Sequence, residues 1–253
     1  MNDDELLRYS RHLLLGDVDV AGQQRLLDAH IVIMGLGGLG SPAALYLAAA
    51  GIGTLTLVDP DTVELSNLQR QIAHDTGTIG HAKTASAGAR ISALNPGTQV
   101  HTVTAAPSGA ELEQLCASAD IVLDGTDRFA SRFAINATCW AAGTPLVSGA
   151  AIRWEGQVAC FDPGNSASPC YQCLHPQTSA LQDVEQSCAT SGVIAPLVGV
   201  IGSMQALEAI KLLTGIGESL VGKVSHFDAR YSEWRTFTLA PDPGCPICSA
   251  TAR

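Results

Sequence analysis

Positive charge is scarce in this sequence. Its 253 residues carry 14 Lys and Arg against 24 Asp and Glu, a formal net charge of −10 at neutral pH. Proteins that bind nucleic acid broadly neutralise phosphates with basic faces, so this balance excludes such a partner unless the few cations converge on one point. Long apolar runs are missing too: the longest, Ala43 to Val58 and Val193 to Met204, are interrupted by Gly, Thr, Pro or Ser. They fall short of the roughly 18–20 residues that span a bilayer, and no membrane partner is expected. The start, Met1-Asn2-Asp3-Asp4-Glu5, is acidic where a secretory leader is basic and then apolar, so a cytoplasmic location is expected. No internal repeat or low-complexity tract is present. What is abundant is apolar content, 46% with only 15% charged residues, the balance of a chain with a large buried core.

Short apolar runs alternate with longer amphipathic segments, which predicts an α/β fold: a Rossmann-like, mostly parallel sheet flanked by helices. Helices are expected over Asp4 to Leu15 and Gly22 to Asp28. The first strand is Ile31 to Met34, followed by a helix opened by Gly40-Ser41-Pro42, with Ser41 available to cap it and Pro42 suited to the first turn. Further strands are expected at Thr54 to Val58, Gln99 to Val103, Ile121 to Leu123 and Leu146 to Ser148. Helices at Lys83 to Leu94, Gly109 to Ala117 and Arg128 to Ala142 alternate with them. Glu155 to Phe161 and Val224 to Leu239 alternate polar and apolar residues and predict antiparallel strands at the sheet's edge. Asp162 to Thr190 lacks periodicity and reads as a long loop. Val193 to Leu213 reads as one helix, apolar on more than one face and therefore buried in the core or against a partner chain. The whole chain, 1–253, reads as one domain: N-terminal helices over 1–28, a nucleotide-binding core over 29–150, and a remaining part over 151–253.

Gly35-Leu36-Gly37-Gly38-Leu39-Gly40 follows the first strand and opens a helix, the context in which glycines let the backbone approach phosphate beside a helix start. Asp59 ends the second strand about 20 residues on, where a carboxylate accepts hydrogen bonds from ribose hydroxyls. These features alone also fit a nicotinamide-dependent oxidoreductase, but the second half shows no hydride-transfer constellation. Ser66-Asn67-Leu68-Gln69-Arg70 then brings an amide and a guanidinium, and Lys83 opens the next helix. Two cations near a glycine loop favour a triphosphate such as ATP, although singly each could be a solvated surface charge. Asp127, in Asp124-Gly125-Thr126-Asp127-Arg128, follows another strand's carboxyl end. It either holds Mg2+ bridging phosphates or caps the following helix.

Eight cysteines in a chain without a leader point to metal ligands, nucleophiles or core residues rather than disulfides. Cys170-Tyr171-Gln172-Cys173 and Cys245-Pro246-Ile247-Cys248 supply the four thiolates of a tetrahedral Zn2+ site, structural because no coordination position stays open; a redox pair is the alternative. Cys188 lies in a polar loop before the apolar helix, where the helix dipole favours a thiolate nucleophile. Cys116, Cys139 and Cys160 fall in apolar segments and read as core.

From Arg8-Tyr9-Ser10-Arg11 to Cys248 the chain resembles the ThiF/MoeB family of bacterial adenylyltransferases, relatives of ubiquitin-activating enzymes. The most specific blocks are Gly35 to Gly40, Ser66 to Arg70, Asp124 to Asp127, Gly192-Val193-Ile194-Ala195-Pro196 and the two cysteine pairs. The resemblance implies binding of ATP and Mg2+ and adenylylation of the C-terminal Gly-Gly carboxylate of a small ubiquitin-like sulfur-carrier protein. It places Gly38, Asp59, Asn67, Arg70, Lys83, Asp127 and the neighbouring Arg128 at the ATP site, and makes Arg11 the arginine that reaches the phosphates from the other protomer of a homodimer. Cys170, Cys173, Cys245 and Cys248 match the family's zinc ligands, and Cys188 matches the loop cysteine used in the thiamine branch for sulfur chemistry. It also makes the 151–253 part the carrier-binding one. No rhodanese-like domain follows Cys248, so the sulfur donor is expected to be a separate protein.

The chain departs from the family pattern at Gly125, where Cys is common, and at Arg128, where Asn is common. Arg8 to Arg11, Ser41 to Leu47 and Ser232 to Arg235 resemble the thiamine branch, whereas Ala150 to Gln157 resembles the molybdopterin branch. A third reading is a zinc-stabilised binding module without catalysis, which ATP turnover distinguishes.

Overall fold

The computed structural model describes residues 1–176 and 191–249. The chain begins with three helices, α1 (Asp3–Arg8), α2 (Ser10–Leu13) and α3 (Asp19–Asp28). Strand and helix then alternate through β1 (His30–Met34), α4 (Gly40–Ala50), β2 (Thr54–Val58), α5 (Lys83–Leu94), β3 (Gln99–Val103), α6 (Ala110–Ser118), β4 (Ile121–Asp124) and α7 (Phe129–Ala142). The remainder comprises β5 (Leu146–Ile152), β6 (Glu155–Phe161), α8 (Tyr171–Leu174), α9 (Ala195–Thr214), β7 (Lys223–Asp228) and β8 (Glu233–Thr238). One eight-stranded sheet runs in the order β3-β2-β1-β4-β5-β6-β7-β8. The first five strands of that order are parallel and β6 to β8 are antiparallel, the mixed sheet anticipated above.

Strands β1, β2 and β4 are buried along nearly their whole length because helices cover both faces of the sheet. Alternate residues divide between two cores. Ile31, Ile33, Leu55 and Leu57 pack with α4, α5 and α9, whereas Val32, Met34 and Val122 pack with Cys116 of α6, Ile135 and Cys139 of α7 and Tyr171 of α8. The three cysteines read as core are indeed buried. Helix α9 matches a bilayer-crossing helix in length and hydropathy, but half of that window is buried inside the protein, as in a core helix.

Several expectations are corrected. The N-terminal helix breaks at Tyr9 because that ring is buried and its hydroxyl accepts a hydrogen bond from Asn95 Nδ2 at 2.8 Å, which continuous helix geometry did not deliver. Ser41 is not a cap: α4 starts at Gly40 with Leu39 in the cap position, and the Ser41 hydroxyl donates to the Leu36 carbonyl at 3.0 Å. Strand β5 continues to Ile152 because it pairs along its length with β6 across a tight turn at Arg153, whose φ is +51°. The tail supplies the antiparallel strands expected at the edge, as the hairpin of β7 and β8. The end of the expected long loop, with Cys188, lies outside the described residues.

Candidate functional site

In a sheet of this order the direction of winding reverses between β1 and β4, and the loops leaving their carboxyl ends diverge to leave a crevice. The glycine loop leaves β1 and the 124–127 loop leaves β4. They touch: a Cβ placed on Gly35 would lie 3.1 Å from the Gly125 carbonyl carbon, and Gly35 has φ +89°. A Cβ on Gly40 would sit 1.8 Å from the Gly35 carbonyl oxygen, so only glycine closes this turn. Gly38 faces α9, where a Cβ would meet Val198 at 2.9 Å, while Gly37 has room. The four glycines singled out from sequence thus serve different ends: Gly35 and Gly40 shape the turn, and Gly38 admits a helix.

The Leu36 peptide at the centre of the loop is held on both sides. Its N–H donates to Asp59 Oδ2 at 2.7 Å, and its carbonyl accepts from Ser41 and from His74 Nε2, the latter at 3.2 Å. Asp59, buried at the end of β2, also accepts from the Asp61 N–H at 2.9 Å. The carboxylate expected at ribose therefore fixes the glycine loop in this unliganded chain. His74 is buried beneath it, with Nδ1 3.0 Å from Ser86 Oγ, and burial lowers its pKa.

Lys83 opens α5 and reaches the same place. Its Nζ lies 2.8 Å from Asp61 Oδ2 and 3.7 Å from Asp59 Oδ1. A polar cleft of about 380 Å³ is lined by Lys83, Asp61, Thr62, Glu64 and Asn67. Arg70 is half-buried and donates to the Ser66 carbonyl at 3.1 Å, while Asn67 Oδ1 accepts from the Glu64 N–H at 3.1 Å. The structure thus brings Asn67 and Lys83 to one cleft, with Asp59 buried behind Lys83, and sets Ser66 and Arg70 on the turn beside it.

On the other side of the crevice, Asp127 and Arg128 are exposed. Arg128, not Asp127, occupies the cap position of α7, and no side chain caps that helix, so the helix-cap alternative for Asp127 is not what the fold uses. The loop is held from beneath. Buried Asp124 accepts from the Thr126 N–H at 2.9 Å and hydroxyl at 2.7 Å, and buried Arg132 closes its Nε and Nη2 on the Thr126 carbonyl. Burial pushes the Asp124 carboxyl up. Gln205 of α9 donates through Nε2 to the carbonyls of Asp124 at 2.9 Å and Val147 at 3.2 Å. Sequence reasoning did not single out His74, Asp61, Arg132 or Gln205; a polar residue inside an apolar helix was the one available signal, and it applies to Gln205 alone.

Arg11 is exposed on α2 and forms no hydrogen bond or ion pair among the described residues. Nearby, His12, Tyr46 and Leu207 line an apolar groove of about 360 Å³ between the N-terminal helices, α4 and α9.

The four remaining site cysteines form a cluster of their own. The sulfurs of Cys170, Cys173, Cys245 and Cys248 lie within 4.8 Å of one another, with Cys170 and Cys245 at 3.6 Å and Cys173 and Cys248 at 3.3 Å. Tetrahedral Zn2+ with Zn–S near ~2.3 Å sets its sulfurs roughly 3.8 Å apart, so the donor set fits this metal. The Asp242 N–H donates to Cys173 Sγ at 3.3 Å, and Trp140 packs against the cluster. Burial pushes the Cys170 thiol up to about 12, a cost that a bound cation reverses by taking the thiolate.

Comparison with known proteins agrees with this architecture. The model of the ThiF family matches residues 9–247. The chain is 47% identical over 251 residues to the sulfur carrier protein ThiS adenylyltransferase of Escherichia coli K12, covering 99% of this chain and 98% of that protein. It is also 47% identical over 248 residues to the molybdopterin-synthase adenylyltransferase of the same strain, with 98% of each covered. Among solved structures, E. coli MccB with ATP superposes with a TM-score of 0.82 at 24% identity, covering 95% of this chain and 74% of that one, a likeness of fold.

Proposed function

We propose, for a chain that belongs to the ThiF family, that it is an adenylyltransferase: it transfers AMP from ATP to the C-terminal carboxylate of a small sulfur-carrier protein and releases pyrophosphate. The carrying observation is the crevice between the glycine loop and the 124–127 loop, with a buried lysine on one wall and an uncapped carboxylate, Asp127, on the other.

In this reaction a carboxylate oxygen forms a bond to the α-phosphorus while the bond from that phosphorus to the bridging oxygen breaks. No proton need move, because the nucleophile is already ionised. The protein's work is to hold two anions together and to stabilise charge spreading onto phosphate. The fixed Leu36 peptide holds the glycine loop in shape, so that the start of α4 offers backbone N–H groups to phosphate; Lys83 and Arg70 supply positive charge, and Asp59 and Asn67 serve the ribose side. Asp127 would hold Mg2+, which neutralises phosphate charge when bound. Arg11, whose side chain has no partner among the described residues and which stands beside an apolar groove, supports a homodimer in which it completes the neighbouring site. A Zn2+ in the cysteine cluster is structural.

The carrier we favour is a ThiS-type protein for thiamine thiazole synthesis, with sulfur brought by a separate protein. Equal identity to the molybdopterin-synthase enzyme supports the second reading, the molybdopterin synthase small subunit as carrier. Pyrophosphate exchange into ATP with each carrier tests both. Exchange stimulated by one Gly-Gly carrier, and lost in Lys83→Ala at an unchanged melting temperature, is the expected result; carrier-independent exchange, or full exchange in Lys83→Ala, overturns the assignment.

A further inference from the structure

Lys83 is not free in this structure. Its side chain is 8% exposed, and an ammonium so enclosed needs its three protons met by acceptors. Two carboxylates lie against it, Asp61 as its hydrogen-bond acceptor and Asp59 at ion-pair distance, and they are held very differently. Asp59 is 6% exposed and fixed by two backbone N–H groups, those of Leu36 and Asp61, so it cannot leave. The Asp61 side chain is 65% exposed at the mouth of the cleft, and its carboxylate has one partner among the described residues, the Lys83 ammonium at 2.8 Å. It is the closer of the two acids and the one able to swing away.

We propose that Asp61 is a placeholder for nucleotide phosphate: its carboxylate occupies the ammonium of Lys83 until ATP displaces it, and it thereby sets the affinity of the cleft for nucleotides that carry a phosphate chain. This rests on the adenylyltransferase reading, in which Lys83 serves the phosphates. The charge balance favours the exchange as a tuning device. Lys83 shares the cleft with Asp61 and Glu64 and pairs with Asp59, so an arriving polyanion meets net negative charge, which Asp61 lessens by yielding its place. In return the pair holds the Lys83 side chain in one place until phosphate arrives. The same carboxylate re-forms the pair as phosphate leaves and so favours release. The backbone is not involved in the exchange: the Lys83 N–H donates to the Asp61 carbonyl at 3.0 Å, a bond that any side chain at position 61 retains.

The test is the Kd for ATP, measured by calorimetry on the whole protein with Asp61→Asn, and Asp61→Ser as a second variant. Both should bind ATP about two- to fivefold more tightly at low ionic strength, the range of an exposed ion pair. The gain should shrink as salt is raised and charges are screened. Asp61→Glu should restore the wild-type value, and adenosine, which has no phosphate, should bind all four proteins alike. Unchanged ATP affinity overturns the proposal, since the pair then does not compete with phosphate. Weaker ATP binding overturns it as well, since Asp61 is then a nucleotide ligand. If Lys83→Ala leaves ATP binding intact, the adenylyltransferase reading of the cleft fails instead, whatever Asp61 does.

Discussion

Replacing Gln205 by methionine isolates one contribution to the 124–127 loop. Methionine is unbranched, of similar length and tolerant of an irregular pocket, so packing changes little. What is lost is the amide nitrogen that donates to the carbonyls at the ends of two adjacent strands, Asp124 and Val147. Leaving each carbonyl short of a donor in a buried place costs about 1–3 kcal/mol. An opposing effect reduces the total: Gln205 Oε1 is itself buried without a hydrogen-bond partner among the described protein atoms, and its removal returns one such cost. The balance is a loss of about 2 kcal/mol, or a fall in Tm of about 4–8 °C for a chain of this length. Glutamate keeps the shape but turns a carboxylate toward two carbonyl oxygens, so Gln205→Glu should fall further at neutral pH. Thermal unfolding of the three proteins, with pyrophosphate exchange measured below the transition, is the assay. Stability in the order glutamine, methionine, glutamate, with exchange falling in parallel, is expected. A methionine variant as stable as the parent, or a glutamate variant more stable than the methionine one, would refute the reasoning.

Acid should weaken the fold through His175, whose pKa is lowered to about 4 by burial, with the Arg132 charge adding to the effect. The unfolded chain binds this proton near ~6.5 and the folded one only near 4, so stability is full above 6.5 and falls as pH drops through that window. His175→Phe, which keeps an aromatic ring against Phe129 and Tyr171, should flatten the fall of Tm between pH 7 and pH 5; an unchanged slope would assign the acid sensitivity elsewhere. Shared sites predict complementation: inactive Arg11→Ala and Lys83→Ala proteins, mixed and allowed to exchange subunits, should recover about a quarter of wild-type exchange in a two-fold dimer. No recovery in demonstrably mixed dimers would count against an arginine supplied across the interface.

Much of the fold was readable because its signals are local. β1, β2 and β4 are buried on both faces, so short apolar runs mark them, with Thr54 and Thr56 the polar residues of β2. The glycine loop announces itself because Gly35 and Gly40 tolerate no side chain, and the cysteine pairs because thiolates at that spacing have few other uses. What stayed hidden depends on residues distant in sequence. Tyr9 interrupts a helix because of Asn95, and β5 runs on because β6 is there to pair it. The Asp61–Lys83 pair and the support given by Gln205 and Arg132 are likewise products of tertiary placement. Asp127 shows the same limit from the other side: cap and metal ligand look alike in sequence, and the position of Arg128 at the start of α7 removes only the cap.

The cysteine cluster also alters how the chain is connected. One pair stands after β6 and the other after β8, so a cation shared by the four thiolates would turn the intervening polypeptide, with α9, β7 and β8, into a closed circuit anchored at a single point. Cutting a circuit once does not divide it. A break at the exposed turn of Tyr231 and Ser232 would leave β8 attached through sulfur, just as stripping the cation would leave it attached through the backbone. Only the two injuries together would set that strand adrift, which gives the outer edge of the sheet two independent moorings.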